Sequence, residues 1–396
     1  MGSPNYINFY ALNVSDMSMP VTPFRIEFSQ RAINDLHRRI DTARWTDIQI
    51  DQGWEVGTND AVLRDLVTYW RREYDWFYHQ GELNKLAHIR VPINSEELHA
   101  VLYTGPAVEK RIPILLIHGW PGSFVEFLQA APLLQNGSTN FPGYDVVVPS
   151  LPGFGFSDQP NTRGMHPGEI AERLHGLMQS LGYEKYCVQG GDWGAIVGSA
   201  LSLLHPEAVL KLHLNFIPVN RNISIEKKSL TAEEHLFLKE QDIFRDIETG
   251  YSHIQSTRPQ SLAYALHDSP IGLLGWILEK YWVWSDHGEN LWETFSRDAI
   301  LTNVMVYWLT GTILSSSRIY YEAKKSDRSY LASKVEIPTA YARYPKEPWT
   351  APISLIEDRY NLVRFSELDA GGHFAALEQP KLFSEDVGSF FADLSG

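Results

Sequence analysis

The sequence predicts an α/β fold: a mostly parallel sheet covered by helices, interrupted by a helical insertion and preceded by an N-terminal extension. Three observations carry this. From Arg111 onward, short continuous apolar runs alternate with amphipathic ones, and strands apolar on both sides belong in a parallel sheet covered on both faces. Between about Pro218 and Asp327 the strands vanish and the pattern is helical and rich in aromatics. Gly-rich loops follow three of the apolar runs, and the carboxyl ends of such strands are where open α/β sheets bind ligands.

These patterns divide the chain into an N-terminal extension (1–110), a first core segment (111–217), a helical lid (218–327) and a second core segment (328–396). Residues 1 to about 20 show no periodicity. Ser29 then precedes QRAINDLHRRI, where Ile33, Leu36 and Ile40 share a helical face. NDAVLRDLVTYWRREYDWF reads as one helix, with Val62, Leu63, Leu66, Val67 and Trp70 on its apolar side. HIRVPI and ELHAVLY, separated by NSE, read as a β-hairpin.

In the core, IPILLIHG is a strand and FVEFLQAAPLL a helix. YDVVVPSL is a strand, EIAERLHGLMQSLG a helix, KYCVQG a strand, AIVGSALSLLHP a helix and VLKLHLNF a strand. After the insertion, PTAYARYP and YNLVRFSEL are strands and KLFSEDVGSFFADL a helix. Most of the insertion's tryptophans (Trp276, Trp282, Trp284, Trp292, Trp308) are expected to pack its helices together. A few should face the sheet and line a pocket.

With 396 residues, 44% of them hydrophobic, the chain is long enough for a large core. A formal net charge of −14 argues against nucleic acid and anionic membrane surfaces as partners. The single cysteine, Cys187, excludes an internal disulfide framework and reads as a buried structural thiol. No apolar window reaches the roughly 20 residues a bilayer span needs. The start, MGSPNYINFYALNVSD, lacks the features of a signal peptide. The expectation is a soluble, cytoplasmic protein with no membrane anchor; a homodimer is left open.

The chemistry concentrates at Q-G-G-D-W-G-A (189–195), a strand–turn–helix. Many hydrolases place a serine at the apex of such a turn, in the pattern G-x-S-x-G; here the apex is Asp192. Helix N-capping is the plain alternative, but three glycines around one aspartate suggest a tighter turn than a cap requires. H-G-W-P-G (118–122) can aim the Trp120 N–H into the site. With the Trp193 N–H at the new helix's positive end, it would form an oxyanion hole. His118 reads as structural. G-G-H-F places His373 behind the last strand as general base.

An acid should follow PTAYARYP. Glu347 is the first there and is preferred; Glu357 and Asp358 are rivals on SLIEDRYN, which reads as a helix. G-F-G-F-S (153–157) lacks the third glycine of a dinucleotide fingerprint. No phosphate-binding loop or metal-ligand spacing is visible, so the metal expectation is none. A carboxylate nucleophile attacks a saturated carbon and gives an ester that water can cleave. The leaving group is then a halide or the oxygen of a strained ring.

Taken together, H-G-W-P-G-S, G-G-D-W-G and G-G-H-F-A-A-L-E resemble the epoxide hydrolases of the α/β-hydrolase fold, in the microsomal-type branch. The likeness includes T-P-F-R-I-E-F (22–28) and the insertion segment 254–280. It implies a helical lid, no cofactor, a soluble form as in fungi, and a small apolar epoxide as substrate. It also implies two lid tyrosines hydrogen-bonded to the epoxide oxygen, at the positions of Tyr251 and Tyr320, with Tyr321 as the neighbouring alternative. Y-P-K-E stands where the family more often has F-P-x-E. A haloalkane dehalogenase with the same Asp192 nucleophile, or a catalytically silent binder of apolar ligands, remains an alternative.

Overall fold

The structure, a computed structural model, describes residues 21–46, 53–105, 111–218, 230–327, 331 and 333–394. The features expected at 1–20 lie outside them. Nine strands form one sheet: β1 (Thr22–Pro23), β2 (Ala87–Ile93), β3 (Glu96–Tyr103), β4 (Pro113–Ile117), β5 (Asp145–Pro149), β6 (Tyr186–Gly190), β7 (Val209–Leu214), β8 (Val335–Arg343) and β9 (Tyr360–Glu367). Their order is β1-β2-β3-β5-β4-β6-β7-β8-β9. Every pairing from β5 to β9 is parallel, whereas β1, β2 and β3 join antiparallel. The continuous apolar strands are buried along their length, with Leu115, Leu116, Val146, Val147 and Val188 inaccessible or nearly so. Helices such as Pro167–Ser180 and Trp193–Leu204 cover them.

Three expectations need correcting. Ile93 pairs with Glu96, so the hairpin turn is Asn94-Ser95, tighter than an N-S-E connection. Asn94 supplies the positive φ, 56°, that a two-residue turn demands and that Asn tolerates. The helix expected over 59–77 is two, Asp60–Arg72 and Trp76–Leu83. Asp75 ends the first by capping the second, its carboxylate accepting from Phe77 N at 2.9 Å. The helix expected over 124–134 is likewise a 3₁₀ turn, Phe124–Phe127, followed by Ala130–Asn136. The break keeps Pro132 in a first turn, where its missing N–H costs nothing.

The N-terminal residues do two things. Strands β1 to β3 lengthen the sheet, and the helices grip the helical layer between β7 and β8. Thr58 Oγ1 donates to Gly275 O at 2.6 Å, Tyr69 OH to Asp298 at 2.7 Å, and Trp54 stacks on Trp282 at 4.5 Å. That helical layer runs from Ala232 to Lys325 and lies over the carboxyl ends of the strands. Asn303 Nδ2 donates to Pro121 O at 2.8 Å, Tyr307 OH to Gly122 O at 2.7 Å and Ser315 Oγ to Gly153 O at 2.6 Å. No single helix among the described residues is long and apolar enough to cross a membrane. The pair Arg297–Thr310 and Ile313–Lys325 passes that test only jointly, bent by 88°, and both helices bury most of their apolar residues in the protein.

Candidate active site

The turn after β6 is as sharp as its glycines require. Asp192 sits at φ 49°, ψ −127°, a strained conformation of the kind that costs about 1–3 kcal/mol and persists only where surroundings enforce it. A Cβ on Gly194 would stand 1.9 Å from Ile117 O, and one on Gly190 2.3 Å from Gly194 O. Strands β4 and β6 and the following helix approach this closely only without side chains. Asp192 occupies the N-cap position of Trp193–Leu204, yet its side chain makes no cap hydrogen bond. Its Oδ1 instead accepts from the Trp120 N–H at 2.8 Å, which disposes of the plain-cap reading. Trp193 opens the helix, so its N–H is among those without an intrahelical partner.

His373 follows β9 and is pinned by its own N–H, which donates to Trp284 O at 2.8 Å. Nδ1 donates to Glu347 Oε2 at 2.8 Å, and Nε2 faces Asp192 Oδ2 at 3.5 Å. Glu347 is buried, and its other oxygen accepts from Trp349 N at 3.1 Å. Burial disfavours the imidazolium, but the Glu347 and Asp192 carboxylates outweigh it and hold the pKa of His373 well above the ordinary value. Glu357 and Asp358 are exposed beyond this site. His118 is structural in its contacts: Nδ1 donates to Gly119 O at 3.0 Å and Nε2 accepts from Leu151 N at 3.2 Å. Burial pushes its pKa down to about 4. Cys187 is a free, buried thiol.

The helical layer brings two phenols over the aspartate. Tyr251 stacks on Trp120, centroids 5.2 Å apart and planes 10° from parallel. Tyr320 meets Tyr251 edge-on at 5.8 Å and Trp193 at 4.8 Å. Tyr321, one residue round the helix, lies instead beneath the Lys325 ammonium, 6.0 Å from its ring. Burial raises both inward phenols, and the Asp192 charge adds to it. Lys280 Nζ lies 4.5 Å from the Tyr251 ring and 5.2 Å from that of Trp284, and it pairs with Glu279 at 2.6 Å.

A cavity of about 300 Å³ opens between Tyr251 and the elbow, walled by Phe216, Phe244, Trp284 and Trp349 as well as by Asp192 and His373. Sequence reasoning anticipated Trp284 only in general terms and missed Phe216 and Trp349. It also missed Glu126, a carboxyl in an apolar turn four positions past H-G-W-P-G; a charged residue in such a run was the available signal. Among the described residues no group of three or more His, Cys, Asp or Glu is placed to hold a metal ion.

Residues 21–127 match the family described as epoxide hydrolase N terminus, and residues 112–239 that described as alpha/beta hydrolase fold. Epoxide hydrolase 1 of Sus scrofa is 35% identical over 400 residues, covering 93% of this chain and 88% of that one. The crystal structure of juvenile hormone epoxide hydrolase from Bombyx mori superposes with a TM-score of 0.87 at 32% identity, over 96% of both chains. The Aspergillus niger epoxide hydrolase structure gives 0.83 at 29% identity, over 96% of this chain and 98% of that one. An aspartate elbow after β6, an acid after β8 and a histidine after β9 thus occur in a chain that matches epoxide hydrolases over nearly its whole length: it belongs to the epoxide hydrolases of the α/β-hydrolase fold.

Proposed function

We propose that the enzyme converts epoxides to vicinal diols through a covalent ester on Asp192. The observation that carries this is the division of labour between the two carboxylate oxygens. Oδ1 is held by the Trp120 N–H, while Oδ2 faces His373, and Asp192 and His373 both border the cavity. Oδ2 attacks a ring carbon, the carbon–oxygen bond of the ring breaks, and the departing oxygen takes a proton from Tyr251 or Tyr320. An alkoxide is far more basic than a halide and needs such an acid, which supports the epoxide over the dehalogenase reading. Water then adds to the carbonyl carbon of Asp192 and gives a proton to His373 Nε2. Charge collects on Oδ1 in the Trp120–Trp193 hole. The ester bond to Oδ2 breaks, the diol oxygen takes the proton from His373, and the proton that the water oxygen carried to the Asp192 carboxyl passes to His373, restoring the resting pair.

The raised pKa of His373 fits this order. In the resting enzyme two carboxylates keep it protonated. Esterification removes the charge of Asp192, leaves Glu347 alone, and so lowers the pKa; the tyrosinate left by ring opening then takes its proton back from His373, which becomes the neutral base of the second step. The apolar wall of the cavity, Phe216, Phe244, Trp284 and Trp349, supports a small apolar epoxide as substrate.

His373→Gln tests the mechanism. Its amide approximates the imidazole in size but accepts no proton at neutral pH. The variant is expected to open styrene oxide once and stall, with an intact-mass gain of one epoxide on the peptide bearing Asp192. Direct attack of water, with Asp192 as general base, would leave no adduct in any variant. A single turnover of wild type in oxygen-18 water separates the routes again, since only direct attack labels the first diol.

A further inference from the structure

We propose that Glu126 holds and orients the water that cleaves the Asp192 ester, in a small pocket shared by Asp192 and His373. The proposal rests on the covalent reading above.

Glu126 lies in the turn Phe124–Phe127, where Phe124, Val125 and Phe127 are all buried in the core. It sits deep in the protein, and the surface it retains opens on a cavity of about 20 Å³ distinct from the substrate cavity. That cavity is bounded by Glu126, Gln189, Asp192, Asn215 and His373. One water needs about 10–15 Å³ and two to four polar partners, so the space and the walls both suit a single molecule. Gln189 supplies a further sign. Its Nε2 donates to Asn215 Oδ1 at 2.8 Å, yet its Oε1 is a buried acceptor without a partner among the described residues. Buried acceptors are almost always satisfied by protein or by ordered water.

The carboxyl itself is out of place for packing, because an ionised group costs several kcal/mol or more to bury and the His373 imidazolium beside it already faces Glu347 and Asp192. Around it stand His373, Asp192 and Glu378, together with the phenols of Tyr281 and Tyr307. Burial, reinforced by the two carboxylates against the pull of His373, pushes its pKa up to about 8. Burial thus favours the protonated form of Glu126, a carboxyl able both to donate and to accept, which is what fixing a water's orientation requires. Room for it is made on purpose: a Cβ on Gly122 would lie 1.2 Å from Glu126 Oε1. In the second step Glu126 holds the water beside the Asp192 carbonyl carbon. One water proton passes to His373 Nε2, the oxygen bonds to that carbon, and Glu126 ends the step as it began, so it is a positioning residue.

Single-turnover mixing with styrene oxide, quenched and read by intact mass, gives the rates of ester formation and decay separately. Glu126→Leu is expected to form the ester at near the wild-type rate and lose it on the order of 10²-fold more slowly, the scale of losing a positioned reactant. Glu126→Gln, which still donates and accepts, is expected to restore most of the decay rate. An unaltered decay rate in Glu126→Leu overturns the proposal, as does equal slowing of both steps in both variants. Should the leucine variant not fold, Gly122→Ala, whose methyl takes the place of Oε1, is expected to slow the same decay. No slowing there overturns the proposal too. Absence of any adduct in wild type and in His373→Gln is a different failure, that of the covalent mechanism itself.

Discussion

A phenol that protonates an epoxide oxygen must release a proton that burial makes it hold, and the site contains two ways of easing that. Tyr251 and Tyr320 stand edge to face, so the two phenols are close enough to share the task, and the Lys280 ammonium lies over the Tyr251 ring, a cation close to where negative charge would develop. Tyr251→Phe and Tyr320→Phe are each expected to slow ring opening on the order of 10²-fold, as for loss of one transition-state hydrogen bond, and the double change to leave almost none. The rings and their stacking survive these substitutions, so unfolding midpoints should stay near wild type. Stopped-flow fluorescence of Trp120 and Trp193, both against these rings, can follow the step. Tyr321→Phe is expected to be silent; a severe Tyr321 effect with a silent Tyr320 would reverse the assignment.

At the scale of elements, the elbow is a packing problem solved by leaving atoms out. The helix Trp193–Leu204 presses on β4 so closely that Gly194 almost touches the Ile117 carbonyl. Gly194→Ala must therefore push the helix start off the sheet. Overpacking of this kind typically costs about 1–3 kcal/mol, measurable as a lower urea midpoint. Because the displaced element carries Asp192 and the Trp193 N–H, ester formation should fall by more than stability alone explains. An alanine variant with wild-type stability and ester formation would show that the elbow has slack the geometry denies it. The Ser123–Asn303 hydrogen bond at 2.7 Å and the Asn303–Pro121 bond at 2.8 Å tie the loop that carries Trp120 to the helical layer, so the two halves of the site share one frame.

Across the whole molecule, the site is held at an electrostatic cost that pH should reveal. Glu126 titrates at about 8 and Glu378 at about 7 when folded, both raised by burial from 4.5, and His373 is raised as well. Between the unfolded and folded values the native state binds more protons than the unfolded chain. Stability should therefore fall as pH rises from about 4.5 to 8. Asp386 works the other way: burial opposes its charge, but His213 and Arg364 prevail and bring it down to about 2. Its contribution is lost only as pH falls from 3.8 toward 2. Glu126→Gln is expected to flatten the decline above pH 4.5, seen in urea midpoints at pH 5 and pH 8. An unchanged slope would mean that Glu126 is ionised in the folded protein at neutral pH.

The parallel core, the covering helices and the residues at the strand ends were legible in the chain because apolar periodicity and glycine spacing are local properties. Asp192, His373 and Glu347 could be singled out as candidates in advance because each stands in the loop that follows a strand, where parallel strands direct their ends to one edge. Local signals also misled where two of them competed: Asp75 split a helix that apolar spacing ran together, and Pro132 broke another. The choice between Tyr320 and Tyr321 required the tertiary structure, since neighbouring residues on a helix point about 100° apart and only the packing of Ile313–Lys325 against Trp193 selects one. Glu126 and Gln189 share a cavity although they lie 63 positions apart in the chain. The cavity they line depends on strands β4 and β6 lying side by side, a relation that exists only once the sheet has formed.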